Sequence, residues 1–193
     1  MEAVQVIPRI IGLFDSTCIS QFESMGCEIS NVEDASGLSG HVSGSDLVTS
    51  YIEAASENLS VKLFLTSPRA LLSETMPGVE DLSMSTEQFQ EDWNLELANR
   101  FLGRLKNKLV DHGCSLQMGI PLKCLDAEAR KEMQFGAEKV ERFFQVGHRF
   151  KGVLKSDVID CCLFIQLINS ELELEDHEDE DEAWFDESEL EHL

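Results

Sequence analysis

Basic residues are scarce in this sequence. Lysine and arginine together number 15 against 37 aspartates and glutamates, which gives a formal net charge of −22 at pH 7. Contacts to nucleic-acid phosphates need lysine and arginine, so this balance argues against nucleic acid as a partner. The charge is also uneven. Residues 171–193 hold 13 acids and no basic residue, whereas residues 1–170 hold the other 24 acids and all 15 basic residues, a net charge of −9.

Long apolar runs and paired cysteines are also missing. No apolar run approaches the roughly 20 residues of a membrane span, and no signal peptide is recognisable at the start. We therefore expect a cytoplasmic protein that has no membrane partner. Six cysteines are scattered without a Cys-x-x-Cys pair or a cysteine–histidine spacing typical of metal ligands, so reduced, buried thiols are favoured over a metal site.

The usual motifs of covalent catalysis are absent as well. The sequence contains no Gly-x-Ser-x-Gly motif, and neither Cys114 nor Cys162 is followed by an arginine at the spacing of a cysteine phosphatase cradle. Cys124 does have Arg130 at the Cys-x5-Arg spacing, but the five residues between them include two acids and no glycine, which does not suit a loop that binds phosphate. The five histidines are far apart in the sequence. We therefore find no candidate for a nucleophile supplied by this chain.

What the sequence does contain is a long amphipathic helix, predicted from Ser85 to Gly113. Ser85 or Thr86 is expected to cap its start, and Gly113 to end it in a left-handed conformation. At 100° per residue, one broad side is apolar, with Leu95, Ala98, Phe101, Leu102, Leu105 and Leu109. The opposite side carries a polar stripe, which we define as Asp92, Glu96, Asn99 and Gly103.

The remaining segments predict a mixture of helices and strands. A first helix is predicted over residues 7–25 and a short one over 69–74. Strands are predicted at 27–30, 40–44, 46–52, 59–65, 115–120, 142–146 and 158–168, and residues 126–135 are expected to be helical or irregular. The last strand is almost continuously apolar, as expected either for a central strand buried on both faces or for one that has one face against helices and the other against another subunit. Both long helices are followed by glycine and cysteine, at Gly26-Cys27 and Gly113-Cys114, which indicates two related halves.

The pattern Asp92-x3-Glu96-x2-Asn99-x3-Gly103, followed by Pro121, resembles the signature of the CheC-type chemotaxis phosphatases, and most closely their CheX-like branch. This resemblance implies an α+β, pseudo-duplicated two-layer fold, with long helices packed on an antiparallel sheet. It also implies a homodimer. When Asp15 is set against Asp92, Ile19 and Phe22 take the places of Glu96 and Asn99, which suggests one site per chain.

The activity implied by the resemblance is hydrolysis of the aspartyl phosphate of a phosphorylated, CheY-like response regulator. Glu96 and Asn99 would be the catalytic residues: Glu96 would pair with a lysine of the partner, and the Asn99 amide would position the attacking water. The chain would need no cofactor or metal of its own, because the partner supplies Mg²⁺.

Four other residues are predicted to contact the partner: Asp92 at the edge of the contact, Gly103 as a flat point on the helix, and Phe89 and Trp93 on the exposed side. The alternative is a catalytically silent CheX-like module that binds a receiver domain or a signalling scaffold without hydrolysis.

Residues 1–170 are expected to form one domain, and residues 171–193 an acidic disordered tail. Like charges repel and few apolar residues are present, so we expect the tail not to pack, although Leu172 and Leu174 could extend the last strand. Trp184-Phe185 within the acidic run is either a docking motif or an incidental aromatic pair.

Overall fold

An antiparallel sheet of seven strands carries three helices, as seen in a computed structural model that describes residues 6–34, 46–77, 85–124, 137–150, 153–170 and 172–175. The predicted strand at 40–44, the segment 126–135 and residues 176–193 lie outside the described residues. The elements in chain order are α1 (Val6–Ser24), β1 (Glu28–Asp34), β2 (Leu47–Ala55), β3 (Leu59–Pro68), α2 (Arg69–Thr75), α3 (Thr86–Asp111), β4 (Gln117–Met118), β5 (Leu122–Lys123), β6 (Glu138–Phe150) and β7 (Val153–Leu167).

The strand order reflects the predicted duplication of the chain into two related halves. The sheet runs β1-β6-β7-β3-β2-β4, and β5 also pairs with β2. One half of the chain supplies α1 and β1 to β3, and the other supplies α3, β4, β6 and β7. Exchanging equivalent strands of the two halves reverses the order of the sheet, which is the mark of a pseudo-twofold arrangement. The α+β, pseudo-duplicated fold is thus confirmed.

The two long helices end in the same way. Gly26 and Gly113 have φ angles of 74° and 79°, a conformation that glycine adopts without steric cost. The following cysteines each donate a backbone hydrogen bond five residues back, from Cys27 to Phe22 at 3.1 Å and from Cys114 to Leu109 at 2.8 Å. Both ends are therefore Schellman caps.

These caps correct the alignment of the two helices. They set Phe22 against Leu109, not against Asn99, and the fully buried Phe14 then matches the fully buried Phe101. In this register Arg9 and Gly12 are the counterparts of Glu96 and Asn99. The alignment on Asp15 was wrong because it matched two acidic side chains, whereas the buried positions and the caps fix the register. With either alignment, α1 lacks the Glu and Asn of the polar stripe.

The core lies between the helices and one face of the sheet. β7 is a central strand, as predicted, and it is buried on both faces: Cys161 and Leu163 belong to the main core, whereas Cys162 and Phe164 pack with Phe64 in a second cluster. β6 and β7 are longer than predicted, because their outer parts pair with each other. The pattern did not indicate this part of β7, since residues Val153 to Ser156 are exposed and do not alternate between apolar and polar. Conversely, only Gln117–Met118 of the predicted 115–120 strand pairs with the sheet.

The expectation that the chain cannot pack beyond residue 171 is wrong for residues 172–175. Leu174 is only 3% exposed and belongs to the main core, and these residues do not extend β7, which ends at Leu167. The Arg9 guanidinium donates to the Leu174 carbonyl at 3.2 Å, and the Glu175 amide donates to the His112 carbonyl at 3.1 Å. Apolar burial and backbone hydrogen bonds therefore hold this short segment in spite of the neighbouring acids.

Candidate functional site on the polar face of the third helix

α3 is a 26-residue helix whose start is fixed by its own side chains. Ser85 is the N-cap, and its hydroxyl accepts a hydrogen bond from the Gln88 amide while the Gln88 side chain accepts from the Ser85 amide. This reciprocal pair is a capping box, so the first of the two predicted caps is the one used. Among the helices in the described part of the chain, α3 alone carries the predicted stripe.

A buried asparagine, which the helical pattern did not reveal, fixes α3 on the sheet. Asn94 is fully buried, and its amide nitrogen lies 2.8 Å from the Ser50 hydroxyl, 3.2 Å from the Leu65 carbonyl and 3.3 Å from the Val48 carbonyl. The Ser50 hydroxyl in turn donates to the Asn94 carbonyl at 3.0 Å. The middle of α3 is therefore hydrogen-bonded to both β2 and β3. A polar residue at an apolar position of the helical pattern was the only sequence sign of it.

The polar stripe lies on the opposite side of α3 and remains accessible. Asp92 is exposed, and Glu96, Asn99 and Gly103 are partly exposed. The structure thus brings the predicted stripe together on one face over roughly 17 Å of helix.

Glu96 already has an intramolecular partner. Its Oε1 accepts a hydrogen bond from Arg100 Nε at 2.8 Å, in an exposed pair one helical turn apart. The Arg100 guanidinium also lies 5.0 Å from the centre of the Trp93 ring. Such exposed pairs contribute only about 0.3–0.5 kcal/mol, so a competing cation can replace Arg100 at little cost.

Trp93 does not lie on the exposed side as predicted. Its side chain is 8% exposed, and the indole nitrogen donates to the Thr75 hydroxyl on α2 at 3.0 Å. The helical pattern placed it at the border between the two faces, and α2, whose position the pattern does not reveal, covers it. Phe89 is partly buried, and Leu95, predicted as core, is also only partly buried.

The β4–β5 segment runs alongside the stripe. A Cβ atom built on Gly103 would lie 3.7 Å from Met118 Sδ, so β4 passes next to this glycine. At the other end, Lys123 Nζ lies 2.5 Å from Glu91 Oε2. Pro121, the distant residue of the signature, lies between these two contacts and hence beside the stripe.

Glu91 joins three elements at the border of the stripe. Besides Lys123 of β5, it pairs with Arg69 of α2, whose Nη2 lies 3.1 Å from Glu91 Oε1. Lys123 and Arg69 together hold the pKa of the Glu91 carboxyl below its usual value, since they favour its ionised form and outweigh its partial burial.

The chemistry open to this surface is limited. Across the described residues no group of three or more histidine, cysteine and acidic side chains is arranged to hold a metal ion. Burial raises the pKa of Cys27 and Cys114, so these thiols are protonated at neutral pH and are poor nucleophiles. The stripe offers a carboxylate and a carboxamide on a rigid helix, which can bind and orient a molecule brought to it. None of the helices within the described ranges is long and apolar enough to cross a membrane.

Comparisons with known proteins give similarity in structure alone. No family model matches the sequence, and no curated protein matches it either. Three solved structures are similar over most of their length. A CheC-like superfamily protein from Shewanella sp. PV-4 has a TM-score of 0.54 and 16% identity, over 81% of this chain and 97% of that one.

The second is the chemotaxis protein CheX from Vibrio vulnificus, with a TM-score of 0.54 and 11% identity over 82% of this chain and 99% of that one. The third is the CheX–CheY–BeF3–Mg²⁺ complex from Borrelia burgdorferi, with a TM-score of 0.55 and 14% identity over 81% and 97%. Identities this low establish the fold and not the activity. With its duplicated halves and long helices on an antiparallel sheet, the chain has the fold of CheX and CheC-like chemotaxis proteins.

Proposed function

We propose that this protein is a phosphatase that hydrolyses the aspartyl phosphate of a CheY-like response regulator. The observation that carries the proposal is the accessible pair Glu96 and Asn99, side by side on a helix that Asn94 anchors to the sheet. Further support comes from the fold, since a CheX structure of the same fold is a complex with CheY. A cytoplasmic location and a homodimer are part of the same proposal.

An acyl phosphate is already reactive, so the protein need only position the attacking water. In the proposed complex the Asn99 carboxamide enters the partner's active site, where its oxygen accepts a hydrogen bond from the water and holds it in line with the phosphorus. The partner contributes Mg²⁺ and its own lysine, and this chain contributes no cofactor. Because the backbone of Asn99 is already held in α3, only its side-chain rotamers have to be ordered when the complex forms.

Glu96 has a binding role in this proposal. Its carboxylate exchanges Arg100 for the lysine beside the partner's phosphorylated aspartate. The exchange is feasible because the exposed Glu96–Arg100 pair is weak. Asp92, one turn earlier and exposed, adds negative charge at the edge of the same contact.

Phosphate release from receiver domains that have been phosphorylated with acetyl phosphate tests the proposal. With the receiver that responds best, we expect Asn99→Ala to lower kcat by about 100-fold, the usual cost of a misplaced reactant. Asn107→Ala is the matched control, since Asn107 is an exposed amide on the same helix, and it should leave the rate unchanged. Unchanged release by Asn99→Ala would refute the mechanism.

A second candidate is a module that binds a receiver domain without hydrolysis. The CheX–CheY complex of the same fold supports it, because that structure shows binding to CheY and does not by itself show hydrolysis. Tight binding of a beryllofluoride-activated receiver without accelerated phosphate release would identify this alternative.

A further inference from the structure

Two large apolar side chains next to the polar stripe are exposed to solvent. Ile120 is 81% exposed and Leu122 is 57% exposed, and the partly exposed Pro121 lies between them. We call these three residues the apolar shoulder. Nothing in the described part of the fold covers it, although leaving two large aliphatic side chains in water has a cost that burial would remove.

The position of the shoulder follows from the two contacts at its ends. Met118 is level with Gly103, and Lys123 is level with Glu91, so the segment runs antiparallel to α3. Along β2 the partners of Met118 and Lys123 are Ala54 and Ser50, which are four residues or about 13 Å apart, so the segment between them is not fully extended. Ile120 and Pro121 lie midway between the contacts with Gly103 and Glu91, and hence beside the middle of this stretch of α3, which holds Glu96 and Asn99.

The shoulder is held in place on both sides. The Gly119 amide donates to the Glu53 carbonyl at 2.8 Å, and the Cys124 amide donates to the Thr49 carbonyl at 2.9 Å. The Lys123–Glu91 ion pair fastens the same segment to α3. The exposed side chains are thus presented from a fixed backbone, which lowers the entropy that a partner must remove on binding.

We propose that the apolar shoulder is a docking surface for an apolar patch on the receiver domain, next to its phosphorylated aspartate. This inference rests on the proposed function and deepens it. A standard interface covers about 800 Å² on each partner, a disc of roughly 16 Å radius. A partner whose phosphoaspartate reaches Asn99 must therefore also cover Ile120, which lies on the neighbouring segment.

In this proposal the polar stripe and the apolar shoulder have different roles in binding the receiver domain. The polar stripe carries the carboxylate and amide, which act on the charged site of the partner. The shoulder supplies apolar area that is buried only in the complex, and buried apolar residues near the centre of an interface dominate its affinity. The shoulder therefore sets binding, and Asn99 sets the rate.

The test uses the full chain and a set of receiver domains activated with beryllofluoride, of which the one that binds most tightly is taken further. We expect Ile120→Ser to raise Kd, measured by titration calorimetry, by about tenfold, and Ile120→Ser with Leu122→Ser to raise it further. KM for dephosphorylation should rise with Kd while kcat stays unchanged. Asn99→Ala should do the reverse, lowering kcat with little change in Kd.

Ile168→Ser is the matched control, because Ile168 is 55% exposed just beyond the end of β7, and two strands, β3 and β2, separate β7 from β4 in the sheet. It should leave Kd and KM unchanged. If wild type dephosphorylates the receiver and Ile120→Ser binds as well as wild type, the shoulder inference is overturned while the proposed function stands.

Other outcomes separate the two proposals. Binding that is weakened by Ile120→Ser but never accompanied by hydrolysis supports the shoulder and overturns the phosphatase. Failure to bind any activated receiver overturns both. In the remaining case the shoulder contacts a second copy of the chain. Sedimentation of wild type and Ile120→Ser tests this: if the variant no longer self-associates but binds the receiver normally, the inference is wrong.

Discussion

At the scale of single residues, two asparagines five positions apart on α3 have opposite environments. Asn94 is fully buried and donates to backbone carbonyls of β2 and β3 and to the Ser50 hydroxyl, whereas Asn99 is partly exposed on the polar stripe. Five residues correspond to 500° of rotation, so the two side chains lie 140° apart around the axis. The same residue type therefore holds the helix on the sheet at one position and is the candidate for positioning the attacking water at the other.

This difference predicts opposite effects of the same substitution. Asn94→Ala leaves the Leu65 and Val48 carbonyls without the amide that now bonds them, so we expect it to lower the free energy of unfolding by about 1–3 kcal/mol. Asn99→Ala should change it by less than about 0.5 kcal/mol, as is usual for accessible positions. Urea denaturation followed by circular dichroism measures both. Equal losses for the two variants would contradict the assignment of Asn99 to the stripe.

The polar stripe could be predicted because rotation around a helix depends only on residue spacing. The position of Trp93 could not be predicted in the same way, because α2 covers it, and the packing of α2 is not encoded in α3. Asn94 was missed for a related reason: a polar residue is assigned to solvent unless its buried partners, here Ser50 and Leu65, are known.

At the scale of elements, Glu91 connects α2, α3 and β5 through Arg69 and Lys123. Short strands such as β5 have few ladder hydrogen bonds, so ion pairs contribute noticeably to their position. These contacts were not visible in the sequence, since Arg69, Glu91 and Lys123 are far apart in it. Strand lengths were not visible in the sequence either. Only two residues of the predicted strand at 115–120 form a strand, and β6 and β7 are longer than predicted because they pair with each other.

The Glu91 ion pairs predict a pH-dependent stability. Because the folded pKa of Glu91 is lowered, its contribution is complete above the usual glutamate pKa, about 4.3, and is lost as pH falls through the lowered value. Near pH 7, Glu91→Gln should melt about 2–4 °C below wild type. The difference should shrink as the pH approaches 3. A gap that is constant from pH 7 to pH 3 in thermal melts would show that the carboxylate charge is not what stabilises this junction.

At the scale of the whole molecule, residues 172–175 belong to the acidic end of the sequence and yet pack against the duplicated fold. This segment packs beside the end of α3, where Leu174 is buried and His112 Nδ1 lies 2.9 Å from the Glu175 carbonyl oxygen. The composition of residues 171–193 indicated a tail from its first residue onwards. Leu172 and Leu174 were expected at most to extend the last strand. Leu174 instead reaches the core, so the structural boundary lies several residues later than predicted.

The position of this boundary predicts different results for two truncations. Removing residues 176–193 takes away 10 acids beyond the described segment, and we expect the free energy of unfolding to stay within about 0.5 kcal/mol of wild type. Removing residues 172–193 exposes the core beneath Leu174 and breaks the bonds to Arg9 and His112, which should cost about 2–4 kcal/mol.

Leu174→Ala in the full-length chain separates the burial of this side chain from the loss of acidic charge, and it should account for most of the cost of the longer truncation.

In the phosphate-release assay, the shorter truncation should change KM only at low salt. The Debye length falls from about 30 Å at 0.01 M salt to 3 Å at 1 M, so at high salt the tail can act on the partner only through direct contact. Equal destabilisation by both truncations would mean that residues 176–193 are part of the folded structure, and a KM effect that persists at 1 M salt would mean that the tail binds the partner directly.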